Sequence, residues 1–355
     1  MKIVTIVGAR PQFVKTATVS KQLREHKIQE VMIHTGQHFD DNMSQLFFNE
    51  LDILKPKYNL NINNLPHGAL TGRMLEQIEN ILLVEKPDWV IIYGDTDSTL
   101  AGALAAKKLN IKLAHIEAGL RSHNEKMAEE TNRIVADRIS DLLFCPTITA
   151  ANNLLREGVS ENKIIVCGDV MKDSVLHFMP KMQKPAVVLP EKYAVCTIHR
   201  AENINNKNSL LNILLALDEL CSTIDVVCPL HPHTKNIISK FNIETDKLKI
   251  KFIEPVGYLE MLYLLHNSSL VLTDSGGLQK EAFMLGKFCI TLRNETEWVE
   301  LVDNGCNVLV GDDPKKIIGC SIDNIGKIID LNSKLYGNGD ASKMIVQKLK
   351  EYIQQ

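Results

Sequence analysis

The sequence, 355 residues long, is short of the features that assign a protein quickly. It has no excess of either charge: 40 Lys and Arg stand against 43 Asp and Glu, a formal net charge of −3. Global charge therefore gives no attraction to nucleic acid, and any anion must be held by a local site. No apolar run reaches the roughly 18 residues that cross a bilayer, so no membrane association is expected. The opening MKIVTIVGAR is a strand-like run with none of the parts of a leader peptide, and a cytoplasmic location is expected. The eight cysteines stand singly at 145, 167, 196, 221, 228, 289, 306 and 320, mostly inside apolar runs. That pattern suits small buried hydrophobes in a reducing compartment and argues against disulfides and a zinc site. Two nucleotide signatures are also missing. There is no G-x-x-x-x-G-K-[ST], and "VGARPQFVK" (7–15) offers one glycine where a dinucleotide fingerprint needs three. Neither a P-loop nor a nicotinamide or flavin cofactor is expected.

What the chain has is a repeating pattern. Short apolar runs end in a polar or glycine turn and lead into helix-like stretches. The first half shows "KIVTIVG" (2–8), "VMIHTG" (31–36), "WVIIYGD" (89–95), "LAHIEAG" (113–119), "LLFCPT" (142–147) and "IIVCGD" (164–169). The second shows "YAVCTIH" (193–199), "IDVVCPLH" (224–231), "IKFIEP" (250–255), "LVLTDSG" (270–276) and "KFCITLR" (287–293). Continuous apolar strands alternating with helices mark parallel sheets covered on both faces. The fold class is therefore α/β, with doubly wound, Rossmann-like sheets. Prolines 180, 185 and 190 and a loss of periodicity place a linker over 178–192. Two domains are expected, about 1–175 and 190–335. Residues 336–355 then form a C-terminal helix, "KMIVQKLKEYI", expected to return to the first domain.

Ligands of such sheets bind beyond the carboxyl ends of the strands. Nearly every strand end here carries a titratable residue: Arg10 and Lys15, His38, Asp95 and Asp97, Glu117 and Arg121, Asp169, His199 and Arg200, His231, Glu254, and Asp274. A cleft lined from both domains accounts for this. In "LVLTDSGGLQKEAFMLG" (270–286), Ser275 stands at an N-cap position, and Gly276 and Gly277 leave the first turn uncovered. Open backbone N–H groups and the helix dipole make an anion site that fits a diphosphate. Glu281, further along that helix, suits two ribose hydroxyls. Gln279 and Lys280 receive no role. The string resembles the nucleophile region of trypsin-like proteases, but those are antiparallel β-barrels. Arg10 and Lys15 follow the first strand, where cations oppose the helix dipole unless an anion justifies them. Asp95, Asp97, Glu117, Glu129 and Glu130 converge on the first domain's strand ends. Their repulsion is expected to raise some pKa values, which suits proton transfer. His199, Arg200, Glu202, His231 and His233 gather in the second domain, where the histidines donate to phosphate or sugar oxygens or move a proton. No metal-ligand set has convincing spacing.

Nine strings in order, "GARPQFVK", "HTGQH", "GDTDSTLAGALAA", "HIEAGLRS", "EETNR", "HRAEN", "TDSGGLQKEA", "ITLRNETEW" and "YGNGDAS", make the chain resemble the non-hydrolysing UDP-N-acetylglucosamine 2-epimerases over its length. The resemblance implies a GT-B fold, two Rossmann-like domains facing a cleft, and a homodimer that needs no NAD. It implies inversion at C2 of a UDP-N-acetylhexosamine by elimination of UDP to a 2-acetamidoglycal and re-addition. It assigns catalysis to Asp95, Glu117, Glu129 and His199. It assigns substrate contacts to Arg10, Lys15, Arg121, Arg133, Arg200, His231, Phe252, Met261, Ser275, Gly276, Gly277 and Glu281. The sequence departs from the common pattern at Ala9 and Gln12 (usually G-T-R-P-E), at Ala128 (usually proline), and at Met261 (usually an aromatic over uracil). "GARPQF", "HRAEN" and "GDVMKD" (168–173) resemble the branch acting on modified UDP-sugars such as UDP-2,3-diacetamido-glucuronate or 6-deoxy sugars of bacterial surface polysaccharides. The rivals are a UDP-sugar glycosyltransferase on the same fold, a hydrolysing epimerase and a non-catalytic sensor. The carboxylate set argues against the first and last. Closure about the 170–192 linker is expected on ligand binding.

Overall fold

The computed structural model describes residues 1–37, 50–331 and 334–352. His38, which closes "HTGQH", and Ile353, expected at the end of the last helix, lie outside the described residues. The chain divides into two compact units, Met1–His177 with Lys334–Gln355, and Phe178–Ser333.

The first unit holds a parallel sheet of β1 (Lys2–Val7), β2 (Gln29–His34), β3 (Tyr58–Asn59), β4 (Trp89–Tyr93), β5 (Lys112–Ile116), β6 (Leu142–Cys145) and β7 (Ile164–Val166). The order is β3-β2-β1-β4-β5-β6-β7, so the chain winds outward from β1, returns, and winds outward again from β4. Every residue of β4 and β6 is buried, as strands covered on both faces require. The connecting helices are α1 (Arg10–Glu25), α2 (His67–Glu85), α3 (Asp97–Lys108), α4 (Ala128–Ile139), α5 (Ile148–Arg156) and α6 (Val170–Phe178). Leu70, Met74, Ile78 and Leu82 recur at helical spacing on α2 and join Val4, Ile6, Val31, Ile33, Val90 and Ile92 in one core. Each such side chain contributes about 1.5–3 kcal/mol on burial. The Ala-rich α3 lies close on the sheet: a Cβ at Gly102 would come 2.7 Å from Ile6 Cδ1.

The second unit repeats the plan with β8 (Tyr193–Thr197), β9 (Asp225–Pro229), β10 (Lys251–Ile253), β11 (Leu270–Thr273), β12 (Cys289–Thr291) and β13 (Asn307–Leu309), in the order β10-β9-β8-β11-β12-β13. Its helices are α7 (Ala201–Ile204), α8 (Lys207–Leu220), α9 (Pro232–Lys240), α10 (Tyr258–Asn267), α11 (Gly276–Met284), α12 (Val299–Asp303) and α13 (Pro314–Asn324). The chain then re-enters the first unit as α14 (Ala341–Glu351), which packs on α1. Two strands went unmarked in the sequence, β3 and β13. β3, two residues long, is too short to show a periodic run, and around β13 only residues 308–310 are apolar in succession.

In each sheet the winding direction reverses at one place, between β1 and β4 and between β8 and β11. Loops leaving adjacent strands there diverge to opposite faces and open a crevice. Those loops hold Gly8–Arg10 and Gly94–Thr96 in one unit, Ile198–Arg200 and Asp274–Ser275 in the other. The cysteines are all free, and six of the eight are buried. Among the described residues no helix is long and apolar enough to cross a membrane.

Candidate active site

In the first unit the sequence motifs are held to one another by side chains. Gln12 is fully buried one turn into α1. Its Oε1 accepts from the N–H groups of Gly8 (2.7 Å) and Ala9 (3.0 Å), and its Nε2 donates to Tyr93 O at 2.7 Å and reaches Thr96 and Thr99. A glutamate here would set a carboxylate against the Tyr93 carbonyl, so this frame requires the amide. Gly8 has no room for a side chain, because a Cβ would run into Ser98 and Thr35, which are hydrogen-bonded at 2.8 Å. Arg10, half-buried, is the first residue of α1, and Lys15 lies one turn further on.

Lys15 Nζ is paired with the Glu117 carboxylate, and both side chains are nearly out of solvent. Glu117 leaves the end of β5 with φ +71°, a left-handed conformation that non-glycine residues rarely hold. Gly94 faces this pair: a Cβ there would lie 3.2 Å from Glu117 Oε2 and 3.7 Å from Lys15 Nζ. Asp95, partly exposed, accepts from Arg133 Nη1 at 2.5 Å, and Asn132 Nδ2 donates to its carbonyl at 2.9 Å. Glu129 and Glu130 open α4 in the first turn, where the helix dipole favours them.

Arg121 and Arg133, to which the resemblance assigns substrate contacts, are each held by several partners within the unit. Arg121 is buried and grips Glu157 through Nε and Nη2, both at 2.7 Å, while Nη1 donates to Asp137 and Leu120 O. Arg133 Nε and Nη2 bind Glu130, and Nη1 binds Asp95. Their guanidiniums thus act as clamps within the unit. Burial opposes ionisation of Asp137, but the charge and hydrogen bond of His115, then those of Arg121, hold its carboxyl below the usual range. Burial likewise opposes ionisation of Glu130, and the N–H groups of Ser122 and His123 with Arg133 outweigh it. The upward shift expected from crowded carboxylates is reversed at Glu130, because the structure pairs it with a cation and backbone donors. His115 was missed by sequence reasoning. Its ring joins Asp137 (2.7 Å) to Gly94 O (2.7 Å), which fixes the loop before Asp95 against the end of β5.

In the second unit Ser275 caps α11, accepting from Leu278 N at 3.4 Å. Gly276 lies against the Glu297 carboxylate, leaving no space for a Cβ, whereas Gly277 is open. Glu281 is buried inside α11. Gln279 and Lys280 now gain contacts. Gln279 Oε1 accepts from Thr296 (2.8 Å) and Asn307 (3.0 Å), and Lys280 Nζ stands 3.8 Å from the Trp298 ring centroid. They tie α11 to the "ITLRNETEW" segment. Arg293 pairs with Glu297 at 3.1 Å, and Arg200, half-buried, approaches Glu297 at 4.0 Å.

His199 leaves the end of β8 with its side chain 43% exposed and its Nδ1 3.1 Å from Asp274 Oδ1. His231 is the N-cap of α9, its Nδ1 accepting from His233 N at 3.2 Å, and its ring centroid is 6.5 Å from that of His199. Phe252, on β10, lines a pocket of about 470 Å³ with Leu230, Lys235 and Glu254. Met261 is half-buried on α10. The structure thus brings Asp95, Glu117, Glu129, Arg10 and Lys15 to one sheet's carboxyl end, and His199, Arg200, His231 and Ser275–Gly277 to the other's.

Comparison with known proteins supplies the context for this arrangement. The family model described as UDP-N-acetylglucosamine 2-epimerase matches residues 21–350. The chain is 51% identical to the UDP-2,3-diacetamido-2,3-dideoxy-D-glucuronate 2-epimerase of Pseudomonas aeruginosa, covering 98% of this chain and 99% of that one. It superimposes with a TM-score of 0.93 on the Methanocaldococcus jannaschii UDP-GlcNAc 2-epimerase crystallised with UDP-GlcNAc and UDP, at 44% identity over 99% and 100% of the two chains. The Neisseria meningitidis UDP-GlcNAc 2-epimerase bound to UDP-GlcNAc gives 0.90 at 32% identity, over 99% and 100%.

Proposed function

The chain belongs to the UDP-N-acetylglucosamine 2-epimerase family, and from that premise we propose that it inverts C2 of a UDP-2-acetamido sugar, as a cytoplasmic homodimer and without a redox cofactor. The observation that carries the reading is a division of labour. At one sheet's carboxyl end Asp95 and Glu117 are each paired with a cation and Glu129 opens a helix, and at the other's a capped, glycine-opened helix start stands with two histidines.

The chemistry uses both. The C2–H of such a sugar is not acidic, so the barrier falls only if the C1–O bond breaks as the proton leaves. One of Asp95, Glu117 and Glu129 takes the C2 proton. The C–H electron pair becomes the C1=C2 bond of a 2-acetamidoglycal, and UDP departs with the C1–O pair. The N–H groups at Ser275–Gly277, with the dipole of α11, stabilise the diphosphate as its charge grows. Arg10, Arg200 and His231 add donors, His199 serves the leaving oxygen, Glu281 holds the ribose, and Met261 and Phe252 offer apolar cover to the uracil. Re-addition of UDP after protonation of the opposite face gives the epimer. Arg121 and Arg133 act by holding carboxylates in place.

The Pseudomonas relative acts on a diacetamido uronate, and this favours a modified sugar as the substrate. Both candidates enter one experiment. The protein is incubated in D2O with UDP-N-acetylglucosamine and, separately, with UDP-2,3-diacetamido-glucuronate, and followed by NMR. The expected outcome is deuterium at C2 and a manno-configured UDP-sugar, with the uronate turned over faster. Asp95→Asn, Glu117→Gln and Glu129→Gln are each expected to slow exchange about 100-fold or more. Free sugar would mean a hydrolase. Absence of C2 deuterium from either substrate would sink the reading. Light scattering at twice the chain mass checks the dimer.

A further inference from the structure

The motif "HRAEN" is built around a residue that lies outside it. His199 and Arg200 donate their backbone N–H groups to the Asp274 carboxylate at 3.0 and 2.9 Å, and Asn203 donates its Nδ2 at 3.1 Å. The His199 ring makes a fourth contact through Nδ1, 3.1 Å from Oδ1. Asp274 itself has no exposed surface. Asn203 is held in turn by Leu292 O at 2.9 Å, so the carboxylate and the amide that orients it are both anchored in the sheet.

We propose that Asp274 is the positioning residue of the reaction: it fixes the His199 ring with the proton on Nδ1 and aims Nε2 at the leaving oxygen. A buried carboxylate ringed by three N–H donors is an acceptor only, so the ring atom facing it must be the donor. In the neutral ring the proton therefore lies on Nδ1, and Nε2 carries the lone pair. Nε2 takes a proton from solvent, the same carboxylate stabilises the imidazolium so formed, and the ring returns to the Nδ1–H tautomer when Nε2 passes that proton to the leaving phosphate oxygen. Burial alone would raise the Asp274 carboxyl, but His199 and the Arg200 N–H hold it below the usual range, so the acceptor stays ionised. His231 is set the opposite way. Its Nδ1 accepts from a backbone N–H, so the proton of its neutral ring is on Nε2. Two neighbouring rings thus present different atoms: at His199 an Nε2 that donates to the leaving oxygen as imidazolium, and at His231 an Nε2–H that donates from the neutral ring.

This inference rests on the role given to His199 under the proposed function, and the test separates the two. The imidazole tautomer is read by nitrogen NMR of the full chain labelled with ¹⁵N-histidine, with His199→Gln identifying the signal. Nδ1–H is expected at neutral pH, and a ring protonated only at Nε2 overturns the proposal. Asp274→Asn is expected to lower kcat about 100-fold or more, with KM for the UDP-sugar within about threefold, because an amide can donate to Nδ1 and turn the tautomer over. In the His199→Gln background the same change should cost nothing further, since the residues act as a unit. An additional loss there would show a role that bypasses the histidine and overturn the proposal. If His199→Gln is inactive while Asp274→Asn turns over normally, the positioning role alone fails. If His199→Gln is itself fully active, the reading of His199 fails first. Should Asp274→Asn not fold, the wild-type tautomer alone decides.

Discussion

A Cβ at Gly277 would meet nothing closer than Ser275 Oγ at 3.9 Å, whereas one at Gly276 would strike the Glu297 carboxylate. The two neighbours can therefore be separated by alanine. Gly276→Ala forces Glu297 off Arg293 and is expected to cost about 1–3 kcal/mol in thermal denaturation. Gly277→Ala is expected to leave stability unchanged or raise it by up to about 1 kcal/mol, since alanine favours helix. If a diphosphate rests on that bare turn, the same methyl should weaken UDP at least about tenfold by calorimetry, a loss of about 1.4 kcal/mol. Unchanged UDP affinity would remove α11 as the cradle. At this scale the sequence was legible where the chemistry is local, as at Ser275, whose cap spans three residues. It was silent where partners lie far apart along the chain. Asp274 meets His199 across 75 positions, and Arg121 and Arg133 meet Glu157 and Asp95 across 36 and 38. Side-chain type marks such residues as polar or charged, but only the fold shows which partners they hold.

Elements were legible in proportion to their length and burial. β1, β4 and β8 announce themselves as apolar runs, while β3 and β13 exist because a neighbouring strand offers an open edge. α2 shows what such a short strand contributes. Its last residue, Glu85, takes hydrogen bonds from Lys2 at the start of β1, from Lys57 at 2.6 Å and from Tyr58 on β3 at 2.6 Å. Lys2 first, then Lys57 and Tyr58, lower the Glu85 carboxyl to about 2. A depressed folded-state value means that its stabilisation is fully present above the ordinary carboxylate range. That stabilisation is lost as pH falls through about 2. Glu85→Gln is therefore expected to cost about 1–3 kcal/mol at neutral pH. The gap to wild type, measured by urea unfolding across pH, should narrow steadily below about pH 4. A gap that persists unchanged at pH 2 would contradict the ion pairs as its source.

Across the whole molecule, one plan is used twice. Each sheet reverses its winding once, and the segments flanking that reversal carry Arg10 and Asp95 in one unit and His199, Arg200 and Ser275 in the other. The division into two such sheets follows from apolar runs and helix spacing, but how the last helix is fastened does not, because the fastening uses backbone. Gly168 (φ +85°) and Gly337 (φ +76°) meet so closely that a Cβ on the second would come 2.9 Å from the first's Cα. Asp173 then caps α14 from another element, accepting from Ala341 N (3.1 Å), Ser342 N (2.7 Å) and Ser342 Oγ (2.5 Å). "GDVMKD" and "YGNGDAS" are thus two halves of one clasp, closed by Lys172 Nζ on Gly337 O at 2.7 Å. The chain leaves the first unit after His177 and returns at Lys334, so the clasp sits just inside both crossings. Asp173→Ala strips three donors of their acceptor and is expected to cost about 1–3 kcal/mol. Gly337→Ala adds backbone strain to a clash and should cost more. Hydrogen exchange localises the effect. Amides of α14 are expected to lose protection in both variants, while those of α8, in the unit that lacks the clasp, keep theirs. Equal loss in both helices would mean that the clasp supports the molecule as a whole rather than the return of its last helix.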